Sequence, residues 1–186
     1  MPCVSLDAPL VEIGDITTTL LGSQKNPNVW RRHIGPTQRF YSWVINNHWG
    51  TNCAYQEGAV KFRYALRPHA GYDPVAASRL AIGLSQPLLA SAAAADSPND
   101  SLLLIEPDDV LALTLKPTQD GKGWIVRLFG ASGEDRKARL FWAKSLARNS
   151  SPRMCLSDLS EQALTPVDGE VAVAGLDLVT LRIESI

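Results

Sequence analysis

The chain has 186 residues, of which 45% belong to the hydrophobic set and 20% are charged, the balance of an ordinary globular protein. Eighteen lysines and arginines against nineteen aspartates and glutamates leave a formal net charge of −1, so we expect no nucleic-acid partner. Every apolar stretch is far shorter than the roughly 20 residues needed to cross a bilayer, so we expect no membrane-spanning segment.

The cysteines and the first residues bear on the cellular compartment. Cys3, Cys53 and Cys155 are too few and too far apart for a disulfide framework, which favours a reducing compartment. The residues after Met1 lack the basic and apolar regions of a secretory signal. The sequence therefore predicts a cytoplasmic rather than a secreted protein.

Alternating polarity, the pattern of half-buried strands, dominates the chain. In the segment 60–66, apolar residues at the even positions alternate with Lys61 and Arg63, which predicts a strand with one apolar face. A strand is also expected around Trp43, which alternation places on one face with Tyr41 and Ile45.

A single helix of about three turns is predicted over residues 74–84. Asp73 is a good N-cap, Pro74 suits the first helical position, and apolar residues then recur every four positions. Pro87 prevents the helix from continuing. The small and polar residues of 86–101 predict a linker that separates two parts of the chain.

Strands follow one another closely in the second half of the chain. Residues 110–116 place Leu111, Leu113 and Leu115 on one face, and the turn at Asp120-Gly121 predicts a hairpin with the next strand. The later predicted strands are 124–129, 136–144, 164–167, 170–174 and 178–183. Short strands separated by turn residues predict an all-β sandwich.

The residue types that carry catalysis or metal binding form no recognisable motif in this sequence. His33, His48 and His69 are dispersed and lie near no cysteine pair, so no metal site is indicated. The sequence contains no Walker motif, no G-x-G-x-x-G fingerprint and no G-x-S-x-G elbow. We therefore predict no catalytic residue, no metal ligand and no cofactor within this chain.

The segment 40–52 is the most distinctive in composition. It combines four aromatic residues with three asparagines, a histidine and a threonine. Such surfaces suit sugars, because the C–H faces of a sugar stack on rings while its hydroxyls bond to amides. The alternative is that the rings belong to the core and the asparagines cap turns.

A resemblance to a known family covers nearly the whole chain. The run YSWVINNHWGTN at 41–52, followed by QEG at 56–58 and FRYALRPH at 62–69, closely resembles the C-terminal β region of family-38 glycoside hydrolases, the α-mannosidases. Segments similar to the same family occur in the same order at 4–10, 104–107, 115–117 and 123–129.

The resemblance implies how the chain is divided. Residues 1–85 resemble the closing strands of a galactose-mutarotase-like sandwich, together with the predicted helix. Residues 102–186 resemble a smaller terminal sandwich, and 86–101 link the two parts. In the family, a zinc ion held by a histidine and two aspartates lies in an N-terminal α/β domain, and one of those aspartates is the nucleophile. This chain has no counterpart of that domain.

The resulting expectation is a non-catalytic C-terminal portion of an α-mannosidase-like glycoside hydrolase, inactive alone. Its partner is the catalytic domain, which also holds the implied zinc and hydrolyses α-mannosides. The residues that this portion is expected to offer to a carbohydrate are Asn46, Asn47, Trp49 and Arg63.

Two alternatives from other classes stay open. The first is a free-standing carbohydrate-binding module, which should expose aromatic rings on a concave sheet face. The second is a structural interaction domain without a ligand, which should bury Trp43, Trp49 and Trp142 completely.

Overall fold

The computed structural model describes residues 3–14, 35–44, 57–86, 88–90, 92, 101–143 and 152–184. In these residues it contains twelve strands and one helix, which confirms the predicted all-β class with a single short helix. The chain divides into two compact units, Met1–Ala70 and Gly71–Ile186. The described helix is too short to cross a membrane.

The described residues of the first unit form four strands of three residues each, arranged as two separate antiparallel pairs. Strand β1 (Cys3–Ser5) pairs with β4 (Tyr64–Leu66), and β2 (Val11–Ile13) pairs with β3 (Phe40–Ser42). The strand predicted over 60–66 is thus present only in its last three residues, because β1 offers three residues as its partner.

Little of the first unit is buried. Ala8 and Gly14 are the buried positions among its described residues. The apolar face predicted for 60–66 is largely exposed, since Tyr64 and Leu66 both face solvent. A half-buried strand needs a second layer to cover its apolar face, and the described part of this unit does not supply one.

Helix α1 (Pro74–Ser85) forms where the sequence predicts it. The carboxylate of Asp73 accepts hydrogen bonds from the backbone N–H groups of Val75 and Ala76, at 2.9 and 3.0 Å. These bonds satisfy two of the donors that a helix N-terminus leaves unpaired, as expected of an N-cap.

The helix belongs to the second unit, whereas the sequence analysis grouped it with residues 1–85. The Arg79 guanidinium donates to the Asp108 carbonyl, and the Gln86 amide donates to the Leu113 carbonyl at 2.8 Å. Both contacts tie the helix to the chain that follows it. The predicted linker, 86–101, lies mostly outside the described residues.

The second unit is a sandwich of two antiparallel sheets. The five-stranded sheet has the order β10-β9-β12-β7-β6, and the three-stranded sheet has the order β11-β8-β5. The strands are β5 (Leu103–Glu106), β6 (Val110–Pro117), β7 (Gly123–Gly130), β8 (Arg136–Trp142), β9 (Arg153–Ser157), β10 (Ala163–Val167), β11 (Glu170–Val173) and β12 (Leu178–Glu184).

The core of the second unit lies between these two sheets. Both sheets contribute to it, and its buried members are Val110, Val126, Leu128, Ala138, Val171, Val173, Leu181 and Ile183. The predicted alternation is confirmed along β8 and β12, whose inward residues all belong to the core or pack against it. The sequence period of two therefore identifies the buried face of these strands.

Strand β6 departs from its predicted pattern. Leu111 lies opposite Phe129 and Leu115 lies opposite Val126, with a shift in register between Ala112 and Thr114. Since Phe129 and Val126 are three residues apart on β7, they point to opposite faces of the sheet. The prediction that the three leucines share one face is therefore wrong, because the bulge turns part of the strand over.

Candidate functional site

An open pocket of about 340 Å³ lies in the first unit. All four strands of the unit contribute to it, together with the residues just before β3. This volume is near the lower limit of about 300 Å³ for ligand pockets in proteins. The lining residues are Cys3, Ser5, Val11, Ile13, Thr37, Gln38, Arg39, Phe40 and Tyr64.

The wall of the pocket is mainly apolar. Val11 and Ile13 from β2, Phe40 from β3 and Tyr64 from β4 are all exposed. Strand residues of this type normally face another layer of the protein. The pocket is therefore an apolar surface that the described part of the unit leaves open to solvent.

The polar groups of the pocket are partly engaged in holding the unit together. The Tyr64 hydroxyl donates to the Ser42 hydroxyl at 2.9 Å and so links the two strand pairs. The Thr37 hydroxyl accepts the backbone N–H of Arg39 at 3.0 Å. The described lining contains neither a carboxylate nor a histidine.

Arg63, one of the predicted carbohydrate-binding residues, lies directly before β4 and is held by Asp7. Its Nε and Nη2 atoms donate to the two carboxylate oxygens of Asp7 at 3.0 and 2.8 Å, and its backbone N–H donates to Oδ2 at 2.8 Å. The side-chain hydrogen bonds from Arg63 lower the pKa of Asp7 below its ordinary value.

The Arg63 and Asp7 pair joins segments 56 residues apart. The carbonyl of Arg63 also accepts the backbone N–H of Leu6 at 3.0 Å, so the residues after β1 are fastened to the start of β4. The Arg63 side chain is 62% exposed, and its sugar-binding role stays a prediction beside this structural one.

The other predicted carbohydrate-binding residues, Asn46, Asn47 and Trp49, lie outside the described residues. Trp43 and Trp142 are half-buried. The complete burial expected of a purely structural domain is thus not met at these two tryptophans.

Metal-ligating side chains are dispersed in the described part of the chain, where no group of three or more is placed to hold an ion.

The chain was compared with protein-family models and with curated proteins, and neither comparison gives a match.

Sequence reasoning did not find the pocket. Its walls come from three-residue strands, and alternation over three residues is too short to identify a strand. The available signal was Val11-Glu12-Ile13, where two β-branched residues flank a charged one. Phe40 did belong to the segment singled out for its composition, and it lines the pocket.

Proposed function

We propose that this chain is the non-catalytic C-terminal β portion of an α-mannosidase-like glycoside hydrolase, and that its first unit packs against the upstream catalytic part. The observation that carries the proposal is the contrast in burial between the two units. The second unit has an apolar core drawn from two sheets, whereas the described first unit buries only Ala8 and Gly14. This contrast supports the interpretation of the first unit as the closing strands of a larger sandwich.

Two-stranded sheets have little stability alone. An isolated pair of short strands is marginal in water, and at least a third strand or a packed layer is needed. The first unit has two such pairs, and their exposed apolar residues would be stabilised by about 25 cal/mol for each Å² of apolar surface that a further layer covers. Covering the exposed apolar residues with a further layer is therefore more favourable than leaving them in water. The proposal assigns that layer to the upstream part of the same polypeptide.

We take the pocket as the centre of this packing. Val11, Ile13, Phe40 and Tyr64 line the recess, and under this proposal an apolar side chain of the catalytic part would occupy it. Interfaces commonly concentrate their binding energy where such an anchor enters a pocket. The pocket is thus the position at which a single substitution should weaken the packing most.

The decisive experiment joins the chain to what is encoded directly upstream of Met1. The upstream reading frame should encode a histidine and two aspartates suited to zinc, and the joined protein should hydrolyse aryl α-mannosides in a zinc-dependent manner. An upstream sequence without such residues, or a joined protein without this activity, would remove the proposal.

The chain alone is expected to be inactive. Purified without the upstream part, it should not hydrolyse aryl α-mannosides with or without added zinc, since no catalytic pair or zinc ligand set is expected in its sequence. Zinc-dependent turnover by the chain alone, surviving removal of contaminating enzymes, would contradict the proposal.

The role of the pocket is tested by expressing the upstream part and this chain as two pieces. Val11→Asp places a charge in the pocket and should weaken the association of the pieces, measured by size-exclusion chromatography. Leu178→Asp is the matched control, because Leu178 lies in the second unit and is 51% exposed against 52% for Val11. Equal loss of association in both variants would place the interface elsewhere.

A free-standing carbohydrate-binding module is the second candidate, favoured by the exposed rings of Phe40 and Tyr64 beside the pocket. In that case Trp49→Ala should weaken the binding of mannosides in calorimetry and leave the melting temperature nearly unchanged. If Trp49 belongs to the core, the same change should instead cost about 3–5 kcal/mol of stability. Absence of mannoside binding by the unaltered chain would remove this candidate.

A further inference from the structure

Arg182 on β12 connects two loops at one end of the second unit. Its Nη2 atom donates to the carboxylate of Asp120, in the β6–β7 turn, at 2.7 Å. Its Nη1 atom donates to the main-chain carbonyl of Glu161, in the β9–β10 loop, at 3.0 Å. The Arg182 side chain is 11% exposed, whereas the Asp120 side chain is 41% exposed, so the contact with Asp120 is open to water on the carboxylate side.

Glu161 holds the same two loops together from the opposite side. One of its carboxylate oxygens forms an ion pair with Lys116 at the end of β6, and the other accepts the backbone N–H of Gln119 at 2.7 Å. The Glu161 side chain is 14% exposed. Charge-assisted bonds of this kind are the stronger class of hydrogen bond in proteins.

The backbone of Glu161 is strained. Its φ angle is +64°, in the left-handed region that residues with a side chain rarely adopt. Such a conformation persists only where surrounding contacts impose it. Inside the loop, Asp158 accepts the backbone N–H groups of Ser160 and Gln162, both at 2.9 Å. The pairing with Lys116 and Arg182 supplies the restraint from outside the loop.

The two cationic partners of Glu161 flank a buried residue, and the loop itself precedes an edge strand. Lys116, Ile125 and Arg182 are opposite one another on adjacent strands, so they share one face of the sheet, and Ile125 is only 1% exposed. The loop also leads into β10, an edge strand whose pairing with β9 contains a register shift.

We propose that residues 158–162 form an acid-releasable latch, which is closed at neutral pH by Glu161 and opens when Glu161 and Asp120 take up protons. Opening relieves the strained backbone of Glu161, uncovers Ile125 and loosens β10. Acid thus exposes one edge of the second unit before its core unfolds.

The charges around the latch set the pH at which it opens. Hydrogen bonds from Thr118 and Arg182 hold the pKa of Asp120 far below its ordinary value. The Lys116 ammonium lowers the pKa of Glu161 in the same direction. Other charged groups close to Arg182 and Glu161 are Glu184, whose carboxylate is 4.0 Å from Arg182, Arg153, which pairs with Glu184, and Asp158, whose carbonyl accepts the backbone N–H of Glu161.

Both carboxylates are therefore ionised at neutral pH, with the latch closed. A carboxylate whose pKa is lowered by folding stabilises the folded state above its ordinary pKa, and this contribution is lost as the pH falls through the lowered value. The latch should consequently weaken as the pH falls below about 4, near the ordinary aspartate and glutamate values, and be fully released only below the lowered pKa values of Glu161 and Asp120.

Hydrogen exchange of the full chain, measured by mass spectrometry, tests the latch. At pH 7, Glu161→Gln removes the charge that protonation would remove, and amides of 158–162 should exchange about tenfold faster than in the unaltered protein. Lys116→Met removes the partner without altering the loop and should have the same effect. In the unaltered protein, the exchange of 158–162, corrected for intrinsic exchange rates, should rise progressively toward that of the two variants as the pH is lowered below about 4.

Amide hydrogen exchange in β7 and β12 distinguishes local opening of the loop from unfolding of the second unit. This exchange should be unchanged in Glu161→Gln and in Lys116→Met. Asp168→Asn is the matched control, because the Asp168 carboxylate, in the β10–β11 turn, makes no hydrogen bond with the described residues. Hydrogen exchange of residues 158–162 in this variant should equal that in the unaltered protein. Unchanged exchange of the loop in both variants would overturn the proposal. So would simultaneous loss of protection in the loop and in β7, because the network would then stabilise the whole unit.

Discussion

Gly123 begins β7 at a position where the chain leaves no room for a side chain. A Cβ atom there would overlap the carbonyl oxygen of Ile183 on the neighbouring strand. Ile183 belongs to the core, so neither backbone can move away without disturbing its packing. Glycine is required here by the close approach of two strands.

Gly123→Ala should therefore destabilise the protein by about 2 kcal/mol or more, as overpacked sites do. Gly83→Ala is the control, because Gly83 lies in α1 with open space around it and its replacement should stabilise the helix by about 0.5–1 kcal/mol. Urea unfolding followed by tryptophan fluorescence measures both changes. If both substitutions changed the free energy of unfolding equally, the close approach of Ile183 would not be what excludes a side chain at position 123.

At the scale of elements, short-range signals define α1 well. The side chain of Asp73 bonds to the first helical N–H groups, and Pro74 takes the first helical position. The helix has no buried residue and no basic residue in its last turn, so its cap is a large part of its local stability.

Asp73→Ala should destabilise the helix by about 1 kcal/mol, because two backbone donors lose their acceptor. Asp73→Asn keeps a side-chain oxygen at the same place and should have a much smaller effect. Hydrogen exchange of the first-turn amides of α1 measures the difference. An alanine variant with unchanged exchange would contradict the role assigned to the cap.

At the scale of the whole molecule, the two units differ in burial. The second unit has its own apolar core, and the described residues of the first unit do not form one. The second unit buries apolar residues from both sheets around Leu128 and Leu181. The first unit offers short strand pairs whose apolar residues face solvent. Independent stability is therefore expected of the second unit, and the proposal that the first unit lacks a further layer predicts that the first unit is not stable alone.

A fragment of residues 71–186 should fold cooperatively by itself, whereas residues 1–70 alone should not. Circular dichroism with thermal unfolding measures this directly, and the dispersion of amide resonances gives a second readout. A cooperative transition of 1–70 in isolation would contradict the interpretation that this unit needs a further layer.

The sequence by itself determined the elements that depend on neighbouring residues. Period-two alternation located β8 and β12 and identified their core faces, the Asp120-Gly121 turn located β7 as a hairpin partner, and the cap at Asp73 located the helix. These signals work because side-chain direction in a strand and capping at a helix N-terminus are local properties of the chain.

Only the tertiary structure shows the features that depend on strand register or on contacts between residues far apart in the sequence. The bulge in β6 separates Leu111 from Leu115, and the sequence gives no sign of where the register shifts. Arg63 meets Asp7 across 56 residues, and Arg182 meets Asp120 across 62. Neither pair has a local signal, because each depends on which strands become neighbours. The pocket and the latch have the same origin, since each is built from residues that only the pairing of strands and loops brings together.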